Sequence, residues 1–541
     1  MKKTGVKGLF LIVLILFGTS GLLWASGQDE KTDAKSKKSN TKVVVVPSES
    51  LKGFATLPRA KDYLTDKVVS PIILQAGEIP EDYMFPNDWA KRQDWEAIRQ
   101  KYAGTTLDIM FEGTDIGAPM MTKDHFEALT GIKLNFTGVP NQVQMQKLLV
   151  SFATGSAAFD ITVVLTPNLP VFTRFLEPLD DLIKKWDYDM DDYFPHFTSL
   201  MTDTPLVPGG KTYLLPNDYD QHFFHTRKDL LDKIGKTGPP KTWDEVVEYA
   251  EALKKILPKE QYPLGFMMSR DLFGWETYWD IAAAFGANYF KPGTWIPDMA
   301  SEEAIKAADF LRMLIEKGYL HPGCTSWDYA KQLEAWNAGQ FAMCIQYPVQ
   351  ESYNPKSSTI ANVPRYHSVL PKGLGPKGRV ATHGTFTNVG VGLNAMSKEK
   401  DAAFIWMAFN NSAEVQYIST VTGTGIDYGR KSIFASKEAN KFYPNAKASF
   451  ETIPYIYNDI QIAPAPEIQE IMVPALHDIY TGRGTAAQIL PKANEAVHTI
   501  MEKYGYLDKN PPVPAPKSFW NWDLYPEYHK YVWKDGVGTG F

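Results

Sequence analysis

Side chains able to do chemistry are plentiful in this chain, but few stand at spacings that a reaction requires. Beyond residue 27 there is no Gly-x-Ser-x-Gly turn to raise a serine nucleophile, no His-Glu-x-x-His helix to hold zinc, and no dinucleotide glycine fingerprint after a strand. Gly373-Leu374-Gly375-Pro376-Lys377-Gly378-Arg379-Val380 begins as a phosphate loop does. Arg379-Val380 replaces the required Lys followed by Ser or Thr, and Pro376 interrupts the cradle of backbone donors, so it reads as a surface turn. His222 and His225 stand three apart, which on a strand points them to opposite faces and excludes a shared metal. Asp187, Asp189 and Asp191 open like a calcium loop, yet Asp192 replaces the turn glycine and Thr198 the closing acid, so a solvated acidic turn is expected. Two cysteines, Cys324 and Cys344, rule out a four-cysteine zinc site; one disulfide or two buried thiols both remain open.

Aromatic residues make up 13% of the chain. Trp275, Tyr278 and Trp279 stand at i, i+3 and i+4, so a helix sets all three on one side. A sugar presents flat apolar faces and a rim of hydroxyls, which rings and planar polar groups match. The same stripe is also what a helix buried in a core displays, and both readings stand. Glycoside hydrolysis needs only two carboxylates, which spacing cannot exclude.

The elements that must position such groups alternate. Leu107–Phe111 reads as a strand, followed by a helix through His125–Leu129 that stops at Gly131, then a strand over Ile132–Val139. A helix over 142–154 and a buried strand over Asp160–Leu165 come next. A capping signal at Lys241-Thr242-Trp243-Asp244-Glu245 opens a helix through Lys255, and further helices are expected over 302–317, 400–410 and 489–504. This is the pattern of an α/β fold with a largely parallel sheet, whose ligands sit at loops beyond the carboxyl ends of strands.

With 541 residues, 44% of them hydrophobic, the chain exceeds what one core organises, and two lobes are expected. A net charge of −6 with no basic run outside the N-terminal region argues against nucleic acid as a partner. Lys2, Lys3 and Lys7 precede an apolar run from Gly8 to Trp24 that ends in Ala25-Ser26-Gly27, which reads as an export signal cleaved near Gly27, with a retained anchor as the alternative. Gln28 stands where a lipid-bearing cysteine would be, so the mature protein is expected free in a periplasm or secreted. Residues 28–42 read as a polar tether and 43–104 as an extension packed over the main body.

From here the residues resemble the family 1 extracellular solute-binding proteins of ATP-binding-cassette importers, the maltose-binding-protein-like, carbohydrate-type group. The resemblance is carried by Phe126–Lys133, Gln146–Leu149 with Phe159–Val163, Leu176-Glu177-Pro178-Leu179-Asp180-Asp181, and Tyr213–Pro216 with Thr226–Leu231 and Pro239–Glu245. Trp336–Met343 and Gly390–Leu393 with Ser397-Lys398, Ala402–Phe404 and Ser412–Gln416 complete it. It implies a two-lobed, hinge-connected periplasmic-binding-protein fold of type II, here with an N-terminal extension. One lobe would be 105–217 plus 386–429 and the other 222–385 plus 430–541, crossing at Asn217–Gln221 and His383–Asn388. It places candidate ligand contacts at Glu112, Asp115, Thr166, Asn168, Asn217, Asp218, Tyr219, Tyr347, Thr385 and Phe386, and gives Trp275 and Trp279 a role as cleft aromatics. The implied function is capture of a sugar, oligosaccharide or polyol and its delivery to a membrane permease, by a monomer without cofactor, metal or catalysis. A peptide, polyamine or sugar phosphate ligand, a secreted carbohydrate-active enzyme and an adhesin are the alternatives.

Overall fold

The computed structural model describes residues 57–541 except 66–68, 70, 114–115, 140, 155–157, 349–356, 385–387 and 425, and the backbone alone at 72, 112, 141–142, 145 and 152–153. The expected export signal and tether lie outside the described residues. In chain order the strands are β1 (Thr106–Glu112), β2 (Lys133–Val139), β3 (Ile161–Leu165), β4 (Leu214–Asp218), β5 (Phe223–Arg227), β6 (Tyr262–Leu264) and β7 (Phe341–Gln346). They are followed by β8 (Arg365–Ser368), β9 (Thr382–Gly384), β10 (Val389–Leu393), β11 (Ile456–Asn458), β12 (Val532–Lys534) and β13 (Val537–Thr539).

A five-stranded sheet has the order β2-β1-β3-β10-β4. β1 runs parallel to β2 and β3, joined by the crossover helices Gly117–Thr130 and Asn141–Ala153, as the alternating pattern predicts. β3 is buried along its first four residues because both faces are covered, which is why it reads as an unbroken apolar run. β10 is antiparallel to both β3 and β4. Its Gly390 admits a close approach: a Cβ there would lie 2.5 Å from Leu214 Cβ and 2.7 Å from Met201 Sδ.

A four-stranded sheet has the order β6-β7-β5-β8, with β6 parallel to β7 and β5 antiparallel to both its neighbours. β9 and β11 form a parallel pair of their own, in which His383 lies opposite Tyr457. The C-terminal β12-β13 hairpin turns at Asp535 and Gly536, both at positive φ, the backbone that suits a tight right-twisted ribbon.

Two hydrophobic cores follow the two sheets. One gathers buried residues from 60–219, 389–456 and Tyr528. The other gathers 224–381 and 457–520 together with Leu200 and Leu206. The backbone therefore passes between cores at 219–224, 381–389 and 456–457, and once more before Tyr528.

The extension adds Ala60, Leu64, Phe85, Trp89 and Ile98 to the first core. Asp88 accepts the free backbone N–H groups of Ala413 and Glu414 at the start of the helix Ala413–Val421. Glu414 in turn accepts the N–H groups of Ala60 and Met84 in the extension, at 2.8 Å each.

Candidate functional site

The passage from β4 to β5 is the least expected stretch in the molecule: Asn217, Asp218, Tyr219, Asp220, Gln221 and His222 are all buried although five of the six are polar or ionisable in ordinary conditions. Buried polar groups must find partners. Asn217 Nδ2 donates to Asn411 Oδ1 at 2.7 Å, and its carbonyl accepts from Gln416 Nε2. Asp218 accepts the backbone N–H of Asp427 at 2.6 Å, and the Tyr219 N–H donates back to the Asp427 carbonyl. The Tyr219 ring is enclosed by Phe194 and Phe197, and its hydroxyl lies 2.7 Å from His196 Nε2, so this side chain belongs to the first core.

The helix Leu272–Phe285 meets this passage. Asp271 caps its start, and Gly286 at φ 97° ends it. Every residue from Gly274 to Phe285 is buried, so acids on it must be paired inside the protein. Glu276 and Asp280, one turn apart, face His222: Nδ1 of His222 lies 2.7 Å from Asp280 Oδ2, and Nε2 lies 3.9 Å from Glu276 Oε2. The Tyr347 hydroxyl donates to Glu276 Oε2 at 2.5 Å, and its ring leans on His222 with centroids 4.5 Å apart. Asp280 Oδ1 accepts the backbone N–H of His383 at 2.8 Å.

Trp275 and Trp279, also one turn apart, take the neighbouring face. Trp275 stacks on Tyr289 at 11° between planes, Trp279 leans on the same ring, and Tyr457 stacks beyond it. The Trp275 indole N–H donates to Asp459 Oδ1 at 3.2 Å. His383 Nε2 lies 2.6 Å from the Tyr289 hydroxyl and 3.5 Å from Asp459 Oδ1. A line of polar groups thus runs from Tyr347 through Glu276, His222, Asp280 and His383 to Asp459, with a 3.9 Å gap between Glu276 and His222, and it sets His222 and His383, each in a passage, against the helix Leu272–Phe285.

Burial pushes the Glu276 carboxyl well above the usual range, and Asp220, Asp459 and Asp280 push it further, against the lowering effect of the Tyr347 hydrogen bond. Tyr289 and Tyr457 are held far above the ordinary phenol range by burial. Carboxylate oxygens of Asp218, Asp220 and Asp427 lie within 4.8 Å of one another. Asp218 already accepts from Asp427 N–H, and Tyr443 donates to Asp427 Oδ1 at 3.0 Å, so protein donors brace two of the three at the passage.

Of the other expected contacts, Trp275, Trp279 and Tyr347 come together around the polar chain. Thr166 and Asn168 are buried at the end of β3, where the Thr166 N–H donates to the Asn388 carbonyl. Asp115, Thr385 and Phe386 lie outside the described residues, as does the Glu112 side chain. His222 and His225 part company as their spacing demands, since His225 turns to His367 with Nδ1 atoms 3.0 Å apart. The acidic turn is closed by cations of the chain itself: Arg92 pairs with Asp187 and Asp189, and Arg430 with Asp192. Both cysteines are buried and neither is in a disulfide. Sequence reasoning missed Glu276, Asp280 and Asp459; two acids one turn apart inside an otherwise apolar helix were the available signal.

A family model described as bacterial extracellular solute-binding protein matches residues 113–417. A Sinorhizobium fredii protein named as an amino-acid ABC transporter periplasmic-binding protein is 24% identical over 75% of this chain and 93% of its own. Among solved structures, maltose-bound MalE3 of T. maritima has a TM-score of 0.66 at 20% identity, covering 73% of this chain and all of that one. A solute-binding protein from Agrobacterium vitis with bound D-mannitol has a TM-score of 0.62 at 24% identity, covering 74% and 100%. At these identities the structures show the fold, and it is the two-lobed periplasmic-binding-protein fold that the resemblance implied.

Proposed function

Since the chain belongs to the bacterial extracellular solute-binding proteins and serves ABC transport in that capacity, we propose that it captures a small, polyhydroxylated ligand at the passages between its cores and presents it to a membrane permease. A sugar, oligosaccharide or polyol is the proposed class. The observation that carries this reading is the polar chain from Tyr347 to Asp459, built from segments of both passages beside Trp275, Trp279 and Tyr289. Such a chain offers planar acceptors beside aromatic rings, the two things a hydroxylated ring needs.

The two cores support drawing one lobe from 105–217 with 386 to about 456 and the C-terminal stretch around Tyr528, and the other from 222–385 with 457 to about 520. Ligand contact is proposed for Glu276, Asp459, Gln221, Trp279 and Tyr347, with Asn217, Asp218 and Thr166 bracing the passages. The Tyr219 ring, enclosed in the first core, is given a packing role. The protein acts outside the cytoplasm after export, as a monomer, and leaves its ligand chemically unchanged.

A thermal-shift screen of the protein from Gln28 onward against sugars and polyols, with each hit incubated and assayed for product, tests the proposal. A saturable rise in melting temperature with no product is expected. Product formation would replace the receptor reading with an enzyme. Tyr347→Phe removes one hydrogen bond to Glu276 while keeping the ring, and should weaken the hit by about tenfold, the usual scale for one buried hydrogen bond; unchanged affinity would remove Tyr347 from the site.

A further inference from the structure

The turn Gly373–Val380 opens as a phosphate loop does, but its backbone donors are used inside the fold. Gly378 N–H donates to the Gly375 carbonyl, Gly373 N–H to the Arg379 carbonyl, and Arg379 N–H to the Ala284 carbonyl. What the turn leaves unused is the Arg379 side chain. Its guanidinium lies over the Trp520 ring, 4.4 Å from the centroid. A guanidinium steadied by a ring still has all its N–H groups to offer, and it loses little freedom when a partner arrives.

Arg379 and Trp520 line a cavity of about 320 Å³, near the small end of the range for solute sites. Lys291 and Lys517 line it too, from two further segments. The backbone at Lys291 is fixed by the turn it opens, with its N–H on the Ile296 carbonyl and its carbonyl accepting from Thr294. Lys517 stands between the buried Pro516 and Ser518, whose hydroxyl donates to Asp523 Oδ2 at 2.9 Å. Among the described residues, none of the three cationic groups makes a hydrogen bond or an ion pair. Lys377, in the same turn as Arg379, differs on both counts: it pairs with Glu303 at 2.8 Å and does not line the cavity.

Asp523 is the acid on the cavity wall, and Ser518 already occupies one of its oxygens. Burial raises the Asp298 carboxyl against the pull of Lys291, and Asp298 is not on the wall. Three cations beside one carboxylate leave a surplus of two positive charges. Solvent screens exposed cations, so this surplus costs the fold little and stays available to an anion. We propose that the cavity is a second solute site, which takes a small molecule through a phosphate group. Near neutral pH such a group brings roughly 1.5 to 2 negative charges and three acceptor oxygens. Arginine meets two of those oxygens with parallel N–H groups, and lysine follows as a mobile point charge. A carboxylate brings a single charge, and a neutral sugar none. No wall residue belongs to the line from Tyr347 to Asp459, and Lys517–Asp523 lie beyond the residues 113–417 that match the family model. The site therefore stands or falls independently of the ligand at the passages.

The test is calorimetric titration of the protein from Gln28 onward, at low salt, with inorganic phosphate, glucose 6-phosphate and glucuronate. Phosphate should bind saturably and more weakly as sodium chloride is raised. Equal affinities for the two phosphates name the free ion as the source, and tighter binding of glucose 6-phosphate names a phosphorylated solute. Arg379→Gln should weaken binding by about tenfold or more, the scale of a charge-assisted pair, with the melting temperature little changed. Lys377→Gln removes the same charge from the same turn but outside the cavity, and should leave the affinity within about twofold. Absence of phosphate binding, undiminished binding in Arg379→Gln, or equal losses in Arg379→Gln and Lys377→Gln overturns the proposal. Glucuronate bound more tightly than both phosphates overturns it as well, since the site would then serve carboxylates.

Discussion

Glu414 ties the extension to the body with a group that titrates near neutrality. Its carboxylate accepts the N–H groups of Ala60 and Met84, yet burial, with Asp88 adding repulsion, raises it to about 7 from an ordinary 4.5. Between those values the unfolded chain has released this proton and the folded chain still holds it, so stability falls as pH rises through the window and levels off above it. Two and a half units correspond to about 3 kcal/mol at most. Glu414→Gln should abolish this component: the difference in unfolding free energy between wild type and variant, measured by denaturant from pH 4.5 to 7.5, should shrink or reverse with rising pH. A flat difference would mean that the carboxyl is ionised throughout. The sign is opposite at His196, which burial drives down to about 3 between the hydroxyls of Tyr219 and Tyr528. There the unfolded state binds the proton first, so stability is lost as pH falls from about 6.5 toward 3, and His196→Gln should flatten the acid limb of the same titration.

At the scale of elements, local signals were legible and tertiary ones were not. The phrase Lys241–Glu245 folds as its spelling says, with Thr242 Oγ1 accepting the Glu245 N–H at 3.1 Å and the Glu245 side chain reaching back to the Lys241 N–H. Gly131 ends its helix in the left-handed conformation that its position announces. The pair β9-β11 could not be read, because three-residue strands more than seventy positions apart have no periodicity of their own and exist only where packing aligns them. The candidate site fails to show for the same reason: Glu276, His222, His383 and Asp459 sit on four separate segments, and nothing near any of them spells the others. β10 lies between these extremes, since its Val-Gly-Val-Gly-Leu pattern names a strand but not the close neighbour that requires the glycines. Gly390→Ala would press a methyl into Leu214 and Met201, both in the core, and should cost about 1–3 kcal/mol. Denaturant midpoints check this, and a neutral result would mean that β4 can move away from β10.

For the whole molecule, the decisive arrangement is that two cores share several backbone passages and one polar chain. Cores that are each wrapped by a sheet can unfold separately, and they are coupled by the passages, by the groups on them and by direct bonds such as that from Asn445 Nδ2 to the Pro348 carbonyl. His222 follows β4, whose residues serve the first core, and holds Asp280 of a helix in the second; His383 and Asp459 repeat that junction at the other passages. A ligand seated there contacts groups whose placement depends on both cores, so its binding energy is available only while both are folded. At a concentration one hundred times the dissociation constant, linkage adds about 2.7 kcal/mol to whichever unfolding step destroys the site. Calorimetric scans should therefore show the lower-melting transition shifting upward with ligand until it meets the higher one, and the merged transition then moving as a unit. If instead one transition moves and the other never changes its position or its sharpness, the ligand is held by a single lobe and the polar chain across the passages is a structural brace.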